Sequence, residues 1–311
     1  MKLGLFTACL PTLPLEAVAG WAAGAGYEAL EVAAWPAGSP HPHQANHIDV
    51  DSFSDEQARR TTELFDRHGL TLSAVSCYEN NLHADDRERE RIHDHMRRCV
   101  DAAAALGVGV VGTFVGRDHA RPVAEDLRRA EKHLPPLVEY ATSRGVRLVI
   151  ENCPMEGWHP DGYPGNLAYS PELWEWMFGL GLYLNYDPSH LVWLGIDPVD
   201  ALVPALESGR VLHVQAKDIE IDEQRRTRYG IFGKTVSRRF PEDVGWWRYR
   251  IPGLGQLDWA RIITTLRDGG FDGVVAVEHE DPVWSGSVDR IQGGLNVAAD
   301  TLRPRIHDKQ N

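Results

Sequence analysis

The sequence predicts an α/β protein, a (β/α)8 TIM barrel that residues 1–311 form as a single domain. Three observations support this prediction. Short apolar runs alternate eight times with longer segments of helical periodicity, and no change in composition marks a domain boundary. Polar residues also end several of the later apolar runs, where a TIM barrel carries its catalytic groups.

The eight predicted strands are runs of apolar and β-branched residues. They cover residues 3–10, 29–35, 70–78, 109–115, 147–151, 182–187, 211–217 and 273–278. Residues 107–112 match G-x-G-x-x-G, which in a dinucleotide site follows a strand and begins a helix. Here the pattern follows a predicted helix and continues into a strand, so we interpret it as a tightly packed loop.

The predicted helices follow the strands in order. They cover residues 15–24, 54–68, 87–106, 124–144, 170–178, 198–206, 258–268 and 287–302. We expect Ser54 and Ser170 at N-cap positions, because serine is strongly preferred there. Gly69 is expected to end the second helix, and Pro135 with Pro136 predicts a kink in the fourth.

Three long connections follow strands two, five and seven. The chain of 311 residues is longer than a typical barrel of ~250 residues. The surplus lies at residues 36–53, 154–169 and 218–257. Because strand-to-helix connections lie on the catalytic face of a TIM barrel, we expect functional residues there.

The composition argues against several classes of partner. Acidic residues number 45 against 32 lysines and arginines, a net charge of −13, which disfavours nucleic acid and anionic membranes. No run of about 18 apolar residues could cross a membrane. The four cysteines form no Cys-x-x-Cys pair, so we expect reduced thiols in a cytoplasmic protein.

Polar side chains at the ends of strands five to eight predict a metal site. Alternation along strand seven turns His213, Gln215 and Lys217 inward, where an unpaired polar group costs ~1–3 kcal/mol. The four strands end in Glu151, in Asp187, in Gln215 or His213, and in Glu278. Carboxylates this close repel one another unless a cation neutralises them. We expect one divalent ion, Mn²⁺ or Mg²⁺ by the oxygen-rich donor set, with Co²⁺ or Zn²⁺ as alternatives.

Five segments carry a resemblance to the xylose isomerase-like TIM-barrel superfamily, the sugar isomerases and epimerases related to endonuclease IV. They are LVIEN at 148–152, DPSH at 187–190, VLHVQAKD at 211–218, GLGQLDW at 253–259 and VEHED at 277–281. The resemblance implies that Glu151, Asp187 and Glu278 are metal ligands and that both glutamates transfer protons. It departs at Gln215, where the superfamily has a histidine, although a glutamine can coordinate through its carbonyl oxygen.

This arrangement suits proton abstraction next to a carbonyl, with Glu151 and Glu278 as the catalytic pair. The position to which the proton returns decides between isomerisation and epimerisation of a small-molecule sugar. Loss of a β leaving group would instead make the protein a lyase or dehydratase acting on a keto-sugar or inosose. An endonuclease is disfavoured by Gln215 and by the net charge of −13, and a binding protein would lack the metal.

Substrate contacts are expected from His190, His213, Lys217, Arg250 and Trp35. The basic and aromatic segment 225–250 is interpreted as a lid over the sugar, with Arg250 reaching a substrate oxygen or carboxylate. The alternative interpretations of this segment are a solvated loop or a contact within a homo-oligomer. Trp158 and Trp246 are further aromatic candidates for stacking on a sugar.

Overall fold

Eight parallel strands close into the barrel that the sequence predicts. The computed structural model describes residues 1–37, 45–155, 164–239 and 243–308. The barrel strands are β1 (Lys2–Phe6), β2 (Ala29–Ala33), β3 (Thr71–Asn80), β4 (Val110–Phe114), β5 (Arg147–Glu151), β6 (Tyr183–Tyr186), β7 (Val211–Ala216) and β10 (Val274–Val277). Neighbouring strands follow chain order, and β10 closes the barrel between β7 and β1.

Helices surround the barrel in the predicted order. They are α1 (Leu15–Gly24), α2 (Asp55–His68), α3 (Asp86–Ala105), α4 (Val123–His133), α5 (Pro135–Ser143), α6 (Pro171–Gly179), α7 (Ser189–Val192), α8 (Pro198–Glu207), α9 (Glu223–Tyr229), α10 (Trp259–Asp268) and α11 (Val288–His307). None of the described helices is both long enough and apolar enough to span a bilayer.

Local sequence signals explain where several helices begin and end. Ser54 and Gln57 form a capping box at the start of α2, and Gly69 ends that helix at a φ of 64°. Ser170 precedes α6 without a side-chain cap hydrogen bond. The single kinked helix expected over 124–144 is two helices, because Pro135 has no N–H with which to continue α4.

The G-x-G-x-x-G segment joins α3 to β4, as interpreted from its position in the sequence. Gly107 has a φ of 69°, which favours glycine. Gly112 lies within β4, where an added Cβ would stand 2.4 Å from the Ser76 hydroxyl oxygen and 2.6 Å from that of Tyr78. Close packing across the barrel therefore requires a glycine at position 112.

The connection after β7 forms structure of its own. Its two short strands, β8 (Asp218–Ile221) and β9 (Trp247–Arg250), pair antiparallel and enclose α9. Trp193 stacks on Trp247 of β9 with ring centroids 5.1 Å apart, and Trp246 is 1% exposed in the same apolar cluster. The sequence did not predict these two strands, because four residues are too few to show a clear period.

Candidate metal centre

Three carboxylates meet at the carboxyl ends of the barrel strands. Glu151 ends β5, Asp187 directly follows β6, and Glu278 directly follows β10. One oxygen from each lies within 4.8 Å of the other two. Glu151 and Asp187 are buried, and the Glu278 side chain is 12% exposed. The structure therefore brings together the three acidic residues that the sequence selected as ligands.

The Lys217 ammonium lies among these carboxylates. Its Nζ is 2.7 Å from Glu278 Oε2, 2.9 Å from Glu280 Oε2 and 3.2 Å from Asp187 Oδ2. Burial lowers the pKa of Lys217, but the surrounding carboxylates outweigh it and raise that pKa well above its ordinary value. Lys217 was predicted to touch substrate, and in the structure it neutralises part of the acidic cluster.

His190 approaches the cluster from α7. Its Nε2 is 3.0 Å from Glu151 Oε1 and 3.3 Å from Asp187 Oδ2, and its Nδ1 is 2.9 Å from the Tyr249 hydroxyl. Burial alone would lower the pKa of His190, but the nearby acidic groups, the Cys153 thiol among them, raise it well above its ordinary value. The acidic groups around the ring therefore favour its protonated form.

The two glutamates differ from the aspartate in their readiness to take a proton. Desolvation by burial raises the pKa of Glu151 and raises that of Glu278 well above its ordinary value. Asp187 is also desolvated, yet Lys217 and His190 lower its pKa to about 2. Asp187 therefore stays ionised, while Glu151 and Glu278 take up a proton at a higher pH than an exposed glutamate does.

Gln215 presents one amide oxygen without a hydrogen-bond partner. Its Nε2 donates to Glu31 Oε1 and Oε2, at 3.3 and 3.2 Å, and lies 3.2 Å from the Tyr78 hydroxyl. A carboxylate only accepts hydrogen bonds, so these contacts fix which end of the amide faces Glu31. Gln215 Oε1 is buried and has no hydrogen-bond partner within the described part of the chain. Sequence analysis missed Glu31 and Tyr78, although Glu31 is an acid within an apolar strand.

His213 lies deeper in the barrel than Gln215. Its Nδ1 is 3.0 Å from Asn185 Oδ1, and its Nε2 is 3.1 Å from the Ser73 hydroxyl. Burial lowers the pKa of His213, so the ring is neutral. Both ring nitrogens of His213 are thus engaged. Of these two strand-seven residues, Gln215 is therefore the one with an unpaired atom, its Oε1, that could bind a metal.

The remaining predicted substrate residues have other partners. Arg250 donates from Nε to Asp281 Oδ2 at 2.9 Å and pairs with Glu220, so its guanidinium holds β9 in place. Trp35 is 5% exposed and packs beside Phe6 and Tyr78. The burial of Trp246 removes it from contact with a sugar, and Trp158 lies outside the described residues.

The charge and donor atoms of the centre fit a divalent cation. When all are ionised, the carboxylates of Glu151, Asp187, Glu278 and Glu280 carry two more negative charges than Lys217 and His190 neutralise. Gln215 Oε1, buried and without a hydrogen-bond partner among the described residues, is a further hard oxygen. Glu151, Asp187, Glu278 and Gln215 are the residues that could hold the ion.

Residues 19–301 match the family described as xylose isomerase-like TIM barrel. The chain belongs to this family. The uncharacterized protein YfiH of Bacillus subtilis is 27% identical to it over 98% of this chain and 99% of its own length. An inosose dehydratase of Clostridium tetani is 31% identical, over 32% of each chain.

Solved structures of low sequence identity share the family's fold. An IOLI protein with a bound zinc atom has a TM-score of 0.69 and 18% identity, and the match covers 100% of both chains. An L-ribulose 3-epimerase also has a TM-score of 0.69 and 16% identity, and the match covers 98% of the present chain and 94% of the epimerase chain.

Proposed function

We propose that this family member is a divalent-metal-dependent sugar isomerase or epimerase that moves a proton at the carbon next to a carbonyl. The observation that carries the proposal is the pair Glu151 and Glu278. Both have a raised pKa, and both lie against Asp187. They have different partners, since Glu151 bonds to His190 and Glu278 to Lys217. One carboxylate can therefore take a proton and the other return one.

Mn²⁺ or Mg²⁺, held by Glu151, Asp187, Gln215 and Glu278, would stabilise negative charge on the substrate carbonyl oxygen. Asp187 remains anionic and anchors the site. His190 and Lys217 contact the two glutamates, and we propose that they also contact substrate hydroxyls. We also propose that His213, Arg250 and Trp35 contact the substrate in addition to their partners within the protein. Finally, we propose that the protein is cytoplasmic and acts on small sugars, without a nucleic-acid or membrane partner.

A dehydratase acting on a keto-sugar or inosose is the second candidate. The match to an inosose dehydratase favours it, as does the position of Lys217 between Glu278 and Glu280. In this reaction one glutamate removes the proton next to the carbonyl. The leaving hydroxyl takes a proton from Lys217 and departs as water, which leaves a carbon–carbon double bond.

Incubation of the Mn²⁺-loaded protein with ketoses and inososes in D₂O tests the proposal. Isomerisation or epimerisation should place deuterium on the carbon next to the carbonyl, whereas a dehydratase yields an unsaturated product that lacks one water. EDTA should abolish turnover. A product of retained composition without deuterium would indicate a hydride shift instead of proton transfer.

Glu151→Gln and Glu278→Gln separate proton transfer from metal binding. Each change removes the base but keeps a coordinating oxygen, which as a neutral ligand binds Mn²⁺ more weakly. At a Mn²⁺ concentration that keeps most of the metal in place, we expect a loss of ~10²–10⁴-fold in rate. Metal content measured on the same samples is the control. Full activity in both variants would rule out the glutamate pair.

A further inference from the structure

A second set of metal donors, softer than the carboxylates, lies beside them. One ligand atom each from Glu151, Cys153 and His190 lies within 4.8 Å of the other two, and all three residues are buried. We infer that these side chains form a site for a soft divalent ion such as Zn²⁺. The inference concerns metal choice and does not depend on which reaction the protein catalyses.

The backbone after β5 directs Cys153 toward Glu151. The two residues are separated by one position, so in extended chain their side chains leave the same side. Asn166 Nδ2 donates to the carbonyl oxygens of Glu151 and Cys153, at 3.1 and 2.8 Å, and fixes the chain on both sides of Asn152. The pair is therefore held by a buried side chain from another part of the chain.

The turn that follows fixes the position of the Cys153 sulfur. Met155 donates its backbone N–H to Cys153 Sγ at 3.3 Å. Met155 also has a φ of 50°, the one positive value among the described residues other than glycine. Such strain persists where surrounding structure imposes it, and it concentrates at functional sites. The turn therefore holds Cys153 Sγ where it lies within 4.8 Å of ligand atoms of Glu151 and His190.

His190 is oriented for the same role. Tyr249 engages Nδ1, so Nε2 is the nitrogen that faces Glu151. A histidine ligand commonly has its other ring nitrogen engaged in this way, which fixes the ring and its tautomer. On binding, the ion takes the place of the proton on Nε2, and the thiol loses its proton to solvent.

The donor types distinguish this set from the oxygen set of Glu151, Asp187 and Glu278. Thiolate and imidazole ligands select Zn²⁺, and three protein ligands leave a fourth tetrahedral position open. Mn²⁺ and Mg²⁺ prefer the oxygen set. Because Glu151 belongs to both, an ion bound through Cys153 should compete with one bound by the oxygen set.

Titration of the metal-free protein with Co²⁺ tests the inference. A cobalt–thiolate bond produces a charge-transfer band in the near ultraviolet, which oxygen ligation does not. We expect the band in the wild-type protein and in Cys9→Ser, a matched change at another buried cysteine. We expect its loss in Cys153→Ser, together with a fall of at least about tenfold in Zn²⁺ affinity.

Glu278→Gln separates the two sets. This variant should keep the cobalt–thiolate band and bind Mn²⁺ more weakly, whereas Cys153→Ser should bind Mn²⁺ as the wild type does. Absence of the band from the wild type, or its persistence in Cys153→Ser, overturns the inference. A wild-type protein that shows the band but binds no Mn²⁺ supports the inference and contradicts the proposed Mn²⁺ centre.

Discussion

At the scale of single residues, the orientation of Gln215 depends on Glu31. The Glu31 carboxylate accepts from Gln215 Nε2 and from the Tyr78 hydroxyl, so it contacts the donor end of the amide. The acceptor end is then the one available to an ion. Replacement of a carboxylate that orients a metal-ligating side chain typically weakens metal affinity by about 10–100-fold.

Glu31→Gln should therefore weaken Mn²⁺ binding by about 10–100-fold. The new amide can donate to Gln215 Oε1, so the carbonyl of Gln215 is no longer directed away from position 31. Electron paramagnetic resonance of free Mn²⁺ measures the affinity. Tyr78→Phe is the control, because it removes a hydroxyl from the network and leaves both Glu31–Gln215 contacts in place. Equal affinities for Glu31→Gln and the wild type would show that Glu31 has no orienting role.

The sequence predicted those site residues that end barrel strands. Glu151, Asp187 and Glu278 could be selected because parallel strands bring their carboxyl ends to one rim. Cys153 was missed because its position depends on a turn after the strand. Glu31 was missed because its partner Gln215 is 184 residues away in the sequence, and no periodic pattern reports such pairs.

At the scale of elements, the β8–β9 sheet explains what the basic segment 225–250 does in the structure. Arg248 and Arg250 leave the same side of β9, and both pair with Glu220. Their surroundings differ, since the Arg248 side chain is 46% exposed and that of Arg250 only 13%. Arg250 also pairs with Asp281 after β10, so this ion pair ties the predicted lid to the barrel. Sequence composition identified the arginines but not their partners.

Arg250→Ala should lower the free energy of unfolding by about 1–3 kcal/mol, because buried Asp281 loses a charged donor. The backbone N–H groups of Ile251 and Val283 still reach Asp281, which limits the loss. Arg248→Ala is the matched control and should cost about 0–1 kcal/mol as an exposed pair. Urea unfolding of both variants gives the comparison. Equal costs would contradict a structural role for Arg250, and weaker substrate binding at unchanged stability would favour direct contact.

At the scale of the whole molecule, the closed barrel concentrates acidic groups from distant parts of the chain at one rim. The sequence predicted the barrel because eight strand-and-helix units repeat with consistent local signals. This arrangement destabilises the metal-free protein, because its carboxylates are desolvated and lie beside one another. Burial raises the pKa of Glu151 and Glu278, and acidic neighbours outweigh burial to raise that of His190.

These shifts predict opposite pH trends for the metal-free and metal-loaded protein. A group whose pKa is raised by folding binds more protons in the folded state, so its stabilising contribution is lost as pH rises. Glu151, Glu278 and His190 act in this direction, so the contribution of these three groups to the stability of the metal-free protein should fall as pH rises above about 5. Metal binding requires deprotonated ligands and therefore strengthens as pH rises.

The increase in melting temperature caused by Mn²⁺ should thus be larger at about pH 8 than at about pH 5. At a free Mn²⁺ concentration of about 100 times Kd, the ion adds about 2.7 kcal/mol to the free energy of unfolding. Differential scanning fluorimetry with Mn²⁺ or with EDTA at both pH values measures the difference. Glu278→Gln should reduce both the Mn²⁺ effect and its pH dependence, because it removes one titrating ligand. An increase of equal size at both pH values would mean that protons and metal do not compete for these carboxylates.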